Sequence, residues 1–145
     1  MRTQIRRSLT VLLTLAMVAF ATVSAAADKT FFYNISTDES WASGMAMGQG
    51  IKAMEAGYDV VFFLNVRGVY LASTERQHEV FGPTGKTPPE MLRTALDEGA
   101  RVVVCPMCLK KAGMTMDEVI KGAERGGPDV TFELMADDDT VVMSY

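Results

Sequence analysis

Both cysteines of this chain lie in the stretch RVVVCPMCLKKAG, three residues apart. Cys105 follows three valines and is followed by Pro106. Cys108 comes three residues after Cys105, and Gly113 ends the stretch. Two thiols at this spacing can bind a soft metal, exchange electrons as a disulfide, carry sulfur, or simply pack. Two cysteines are too few for a disulfide framework in 145 residues. The pair is therefore either a site or part of the core, and the proline between the cysteines favours a site.

The residues after Cys105 indicate how its sulfur is held. Proline suits the first position of a helix, so Pro106 makes Cys105 the N-cap residue. Its sulfur then faces the free amides of Met107 and Cys108, and such a position favours the thiolate form of a cysteine. We predict Cys105 as the reactive sulfur and Cys108 as the second catalytic cysteine.

The rest of the chain predicts an α/β fold. Strands are expected at residues 29–35, 58–65, 100–105 and 140–145, and residues 129–136 fit either a strand or a helix. Helices between them begin at two capping boxes, Ser36 with Glu39 and Thr87 with Glu90. We expect a single small domain with a mainly parallel five-stranded sheet, of probable order 2-1-3-4-5, and with helices on both faces.

The predicted strand order also predicts where a ligand binds. In open parallel sheets the crevice lies beyond the carboxyl ends of the strands, where the strand order reverses. With the order 2-1-3-4-5, Ser36 and Thr37 leave strand one beside Cys105. Asn65 and Arg67 leave strand two, one strand further out. These four, together with the single histidine, are the predicted substrate-binding residues. That histidine, His78, lies in the long loop of residues 66–86 and reaches the cysteines only if this loop folds over them.

The first 27 residues have the layout of a secretory signal. Three arginines start the stretch, an apolar run follows, and Ala25 and Ala27 fit an A-x-A cleavage site. We expect a mature domain of residues 28–145, periplasmic or secreted, with no stable membrane anchor after cleavage. Removing this segment changes the formal net charge from −4 to −7. An acidic domain without a basic cluster argues against binding to nucleic acid.

The stretches AGYDVVFFLNVRGVYLA and EGARVVVCPMCLKKAG, with the opening strand and the Ala/Gly-rich helix after it, resemble the DsrE/DsrF-like family of sulfur-relay proteins. The resemblance covers most of residues 28–145. It implies a small α/β domain that forms homo-oligomers and exchanges sulfur with a donor or acceptor protein or a small thiol. It also implies a persulfide on the cysteine eight residues before a glycine, which here is Cys105 before Gly113. Two features differ from the best-known relay members, which work in the cytoplasm and do not all have a second cysteine. They are the export signal and Cys108, which is suited to resolve a persulfide or disulfide.

Two other functions remain open. A C-x-x-C pair at a helix start also serves thiol–disulfide redox proteins. Thiolates and thioethers together suit Cu(I), and methionines are frequent here: Met45, Met47, Met107, Met114 and Met116. Methionine more commonly fills irregular cores and interfaces, and one C-x-x-C pair is weak evidence for zinc. We expect no tightly held organic cofactor and no metal ligand set.

Overall fold

The computed structural model describes residues 29–145, so the predicted signal segment and its cleavage site lie outside the described residues. Strands and helices alternate along this part of the chain. They are β1 (Thr30–Ile35), α1 (Ser40–Glu55), β2 (Asp59–Leu64), α2 (Pro88–Asp97), β3 (Arg101–Val104), α3 (Pro106–Ala112), β4 (Glu124–Arg125), α4 (Pro128–Ala136) and β5 (Thr140–Ser144), with 3-10 helices at Val66–Ala72 and Met116–Glu118. From residue 29 onward, no helix has the length and apolar character needed to cross a bilayer.

All five strands are parallel, and helices cover both faces of the sheet, so the predicted fold class is confirmed. The predicted order 2-1-3-4-5 is wrong, because the strands lie in the order β4-β3-β2-β1-β5. The chain moves in one direction from β1 to β4, and α1 and α2 pack together over these crossovers. It reverses only at the end, when β5 pairs with the other side of β1. Strand order depends on which helices pack together, and no local sequence signal records that.

The two faces of the sheet are buried to different depths. The face under α1 and α2 carries the main core, in which Phe62, Leu64, Val102 and Leu92 are fully buried. The opposite face has a small cluster in which Phe32, Val61 and Val103 are buried, partly covered by Val130 and Leu134 of α4. Alternating side chains of a strand point to opposite faces, which explains why neighbouring residues enter different clusters.

Two glycines of α1 are needed for close packing, as the glycine-rich sequence of this helix suggests. A Cβ at Gly50 would lie 2.3 Å from the ring of Phe62 in the sheet. A Cβ at Gly44 would lie 2.4 Å from the ring of Phe81, in the part of the long loop that follows the 3-10 helix. The helix therefore packs against both the sheet and the loop through these small positions.

Local signals were interpreted correctly at α2 and α3 but not at α1. The Thr87–Glu90 capping box is present, and Gly113 ends α3 with φ of 72°. The prediction of a Ser36–Glu39 capping box is wrong, because α1 begins at Ser40 and Glu39 is its N-cap. The Glu39 carboxylate accepts hydrogen bonds from the amides of Trp41 and Ala42. The Ser36 hydroxyl instead donates to a backbone carbonyl after β5, a partner distant in sequence.

The carboxyl-terminal part of the chain resolves an ambiguity. Residues 129–136 belong to helix α4, which begins at Pro128, and they do not form a strand. The fourth strand is the two-residue segment β4, which pairs with the end of β3. Gly126 follows it and donates its amide to the carbonyl of Val104. A strand this short has no alternating pattern that sequence analysis can detect.

Candidate functional site

Cys105 occupies the predicted N-cap of α3. It follows the last residue of β3, its backbone is extended (φ −68°, ψ 115°), and Pro106 is the first helical residue. The sulfur accepts the amide of Cys108 at 3.4 Å. Its own amide donates to the carbonyl of Leu64 in β2. The end of β3 and the proline thus fix the sulfur of Cys105 at the carboxyl edge of the sheet.

The second thiol is held by a residue that the sequence did not indicate. The amide of Val66, the first residue after Asn65, donates to the Cys108 sulfur at 3.0 Å. Val66 has φ of 47°, a left-handed conformation that is rare and costly for a β-branched residue. Strained backbone of this kind is found mainly at functional sites. No sequence pattern predicts a valine with positive φ, so Val66 was missed.

The two thiols are free and close enough to influence each other. Burial raises the pKa of the Cys108 thiol above its ordinary value, and the hydrogen bond and charge of Cys105 raise this pKa further. The amide of Val66 acts in the opposite direction. Cys108 is therefore mainly the neutral thiol at neutral pH, and the neutral form is a weaker nucleophile than a thiolate.

A cavity of about 480 Å³ opens beside Cys108, between the 3-10 helix Val66–Ala72 and α3. Its walls are largely apolar and include Val66, the Tyr70 ring and the exposed side chain of Met107, with Lys111 at the same cavity. Cys105 does not line it. Lys111 and Tyr70 are distant in sequence, and only the packing of α3 against the 3-10 helix brings them together.

An ion pair involves Arg67, which also lines the cavity beside Cys108. The guanidinium of Arg67 donates to both carboxylate oxygens of Asp38, each at 2.7 Å. This hydrogen bonding holds the pKa of the Asp38 carboxyl below its ordinary value, against the smaller effect of burial. Arg67 and Arg76 also lie against the Tyr70 ring, with guanidinium carbons 5.4 Å and 4.0 Å from the ring centroid. Arg67 therefore connects the 3-10 helix to the segment after β1, and its role in substrate binding stays a prediction.

His78 does not line the cavity beside Cys108. Its Nε2 atom lies 3.0 Å from the backbone oxygen of Ser73. It lines a second cavity of about 360 Å³ together with Asp38, Glu39 and Arg76. Tyr70 lines both cavities. The long loop of residues 66–86 thus contacts Cys108 through Val66 but does not place its histidine at the Cys108 cavity.

The remaining predicted residues lie at the carboxyl ends of β1 and β2. The Ser36 hydroxyl donates to the Tyr145 carbonyl at 2.7 Å, and the Thr37 hydroxyl accepts the amide of Glu39. Both hydroxyls therefore have structural partners. Asn65 donates through its side chain to Asn34. A role for these residues in binding a substrate stays a prediction.

The corrected strand order changes which predicted residues are neighbours of the cysteines. Leu64 of β2 pairs in register with Val104 of β3. Asn65 and Cys105, the next residue of each strand's chain, therefore leave the sheet at the same level. Asn65 and Val66 therefore belong beside the cysteine pair, and the prediction that strand two ends one strand further out is wrong. The prediction that Ser36 and Thr37 leave strand one beside Cys105 is also wrong, because β2 separates β1 from β3. The strand order reverses between β1 and β5, and not next to Cys105.

Several methionines named for the copper alternative pack in the structure. Met47 is buried in the main core, and Met114 and Met116 pack against it. Across residues 29–145 no group of three or more histidine, cysteine, aspartate or glutamate side chains is arranged to hold a metal ion. Packing is thus the evident role of these three methionines.

Together the fold and the site define a small parallel α/β protein with a dithiol at the carboxyl end of β3. The chain belongs to the DsrE/DsrF-like family, whose model matches residues 28–143 and which is associated with sulfur relay. This confirms the resemblance seen in the sequence. A curated relative, the uncharacterized protein MJ0989 of Methanocaldococcus jannaschii, is 29% identical over 99 residues, which cover 67% of this chain and 82% of that protein.

Two solved structures share the fold. The protein of unknown function MTH1491 from Methanobacterium thermoautotrophicum superposes with a TM-score of 0.66 at 12% identity, over 81% of this chain and 99% of that one. The ychN protein from E. coli gives a TM-score of 0.65 at 17% identity, over 81% and 98%. At these identities the likeness concerns the fold alone.

Proposed function

We propose that this protein is an exported sulfur carrier in which Cys105 holds a persulfide and Cys108 resolves it. One observation carries the proposal: in a chain of a family associated with sulfur relay, two free thiols share one helical turn, each sulfur accepting a backbone amide. Amide donors stabilise a sulfur anion without supplying a proton that would quench it. This arrangement suits a Cys105 thiolate that accepts sulfur, and it stabilises the Cys108 sulfur once that thiol has lost its proton to attack.

The chemistry of loading and release balances without an external oxidant. In loading, the Cys105 thiolate attacks the outer sulfur of a donor persulfide R–S–SH. A bond forms between Cys105 and that sulfur, and the donor leaves as the thiolate RS⁻. In release, the persulfide passes to an acceptor thiolate, or Cys108 attacks the inner sulfur. The second route forms the Cys105–Cys108 disulfide and expels the outer sulfur as HS⁻.

Intact-mass measurement tests the loading step. The reduced protein, residues 28–145, is incubated with a low-molecular-weight persulfide, and a gain of about 32 Da is expected on one cysteine. Cys105→Ser abolishes the gain. Cys108→Ser is the matched control, because it removes the neighbouring thiol and still accepts sulfur, with slower release as sulfide. An unmodified wild-type protein, under conditions that load a known relay protein, would overturn the proposal.

A thiol–disulfide redox function is the second candidate, and the closeness of the two thiols favours it. The two functions differ in what happens after incubation with a persulfide. A relay protein gains sulfur at Cys105, whereas a redox protein only forms and reopens its disulfide. Reduction of a model disulfide such as oxidised insulin, without any uptake of sulfur, would favour the redox function.

The proposal includes the assembly and the location of the protein. We propose a periplasmic or secreted homo-oligomer that exchanges sulfur with a donor or acceptor protein or with a small thiol. Exposed apolar side chains on α1 and α4, Trp41 and Phe132, support contacts between copies. Light scattering of residues 28–145 should give a mass above that of the monomer. Fractionation of cells expressing the full chain should recover the processed protein outside the cytoplasm.

A further inference from the structure

The cavity beside Cys108 has a chemical character of its own. Cys108 lines it, whereas Cys105 does not. Tyr70, Val66 and Met107 supply apolar walls, and the Met107 side chain is 80% exposed. A volume of about 480 Å³ lies within the range of small-molecule sites. The cavity thus has room for a small molecule with an apolar body next to a reactive sulfur.

The charges around the cavity favour an anion. Arg67 also lines it, but its guanidinium is already paired with Asp38. Lys111 is exposed and forms no ion pair with any residue between 29 and 145. Its ammonium is therefore the uncompensated charge at this cavity. The neighbouring Lys110 has the same charge but does not line the cavity, which makes it a natural control.

We propose that this cavity binds a small thiol with an apolar body and an anionic group, and that this thiol reopens the Cys105–Cys108 disulfide by attacking the sulfur of Cys108. The inference rests on the proposed function, in which release of sulfide leaves that disulfide. The inference assigns the reductant to a chemical class and states that the reductant attacks Cys108 and not Cys105.

The step balances as two thiol–disulfide exchanges. The thiolate RS⁻ attacks the Cys108 sulfur, an S–S bond forms between RS and Cys108, and the S–S bond between Cys108 and Cys105 breaks. Cys105 leaves as a thiolate, which the amide of Cys108 stabilises across 3.4 Å. A second RS⁻ attacks the sulfur of the bound thiol, which departs as RSSR, and Cys108 leaves as a thiolate next to the amide of Val66. Two thiols are oxidised to one disulfide, and the protein gains two electrons.

Two thiols with the same body and opposite charge test the proposal. The Cys105–Cys108 disulfide of residues 28–145 is formed with diamide and then treated with 4-(mercaptomethyl)benzoate or 4-(mercaptomethyl)benzylamine. The net charge of −7 would favour the cationic thiol everywhere on the surface. We expect the anionic thiol to react faster, on the order of fivefold, as one nearby unit charge allows. Acid quenching and peptide mapping should locate the mixed disulfide on Cys108.

Two lysine variants separate the cavity from the general surface. Lys111→Gln should remove the preference for the anionic thiol, and Lys110→Gln should keep it. Equal effects of the two variants, a faster reaction of the cationic thiol, or a mixed disulfide on Cys105 would each overturn the proposal. Because diamide forms the disulfide directly, the assay needs no persulfide. Failure of sulfur loading and failure of this inference are therefore separate results.

Discussion

Two cavities share Tyr70 as a lining residue, and their chemistry differs. The Cys108 cavity joins a thiol to apolar walls and one free ammonium. The other, here the His78 cavity, contains carboxylates, a guanidinium and the imidazole, but no thiol. In the Cys108 cavity the groups that reach sulfur are backbone amides, not acid or base side chains. The sulfurs of the dithiol thus accept hydrogen bonds from fixed backbone amides, whereas the His78 cavity offers titratable side chains.

The largest expected effect separates the two cavities by function. Cys105→Ser should remove sulfur loading completely, whereas His78→Gln should leave the loading rate unchanged, because His78 lines the cavity that contains neither thiol. The measurement is the time course of the mass gain for each variant. A clear drop in the loading rate of His78→Gln would show that the two cavities act as one site.

A second prediction concerns the 3-10 helix Val66–Ala72, which carries Tyr70. Gly68 lies in the 3-10 helix that carries Tyr70, and a Cβ there would lie 2.1 Å from the backbone oxygen of Ile35. Because the obstacle is backbone, Gly68→Ala should lower the free energy of unfolding by about 3 kcal/mol. Gly48→Ala is the control: nothing lies within 4 Å of its Cβ, and alanine should stabilise the helix by about 0.5–1 kcal/mol. Urea denaturation measures both, and equal stabilities would refute this packing.

The third prediction is a pH dependence of Cys108. Burial is the largest cause of its raised pKa, and it persists in Cys105→Ser. In that variant the rate of alkylation should rise with pH around a midpoint above the one measured in urea. Because the folded pKa is the higher one, the stability that the protonated thiol contributes is fully present below the unfolded pKa and lost as pH rises through the folded pKa. A native midpoint at or below the urea value would mean that the Val66 amide outweighs burial.

The smallest expected effect concerns the ion pair beside Tyr70. Asp38→Asn removes the partner of Arg67, and exposed pairs contribute little, so the melting temperature should fall only slightly at neutral pH. The pKa of Asp38 is lowered, so the pair stabilises above the unfolded pKa and its contribution is lost as pH falls through the folded pKa. Wild type and variant should therefore melt together in strongly acidic solution. A difference that persists there would point to packing of Asp38 and not to its charge.

The signals that the sequence carried correctly are local. Pro106 after Cys105 predicts the N-cap, and Gly113 predicts the end of α3, because each residue restricts or frees its own backbone. Apolar runs predict the buried strands β2 and β3 in the same way. These preferences belong to a few adjacent residues, so they can be recognised before the chain folds.

Contacts between distant residues were decided only by the tertiary structure. The order β4-β3-β2-β1-β5 follows from the packing of α1 on α2, and it places Val66 beside Cys108. The left-handed backbone of Val66 opposes its intrinsic preference and is held by its surroundings. The cavity likewise exists only because α3 packs against the 3-10 helix and Tyr70. The sequence by itself determined which cysteine caps the helix. Packing determined which cysteine lines the cavity, because the lining of this cavity comes from elements far apart in the chain.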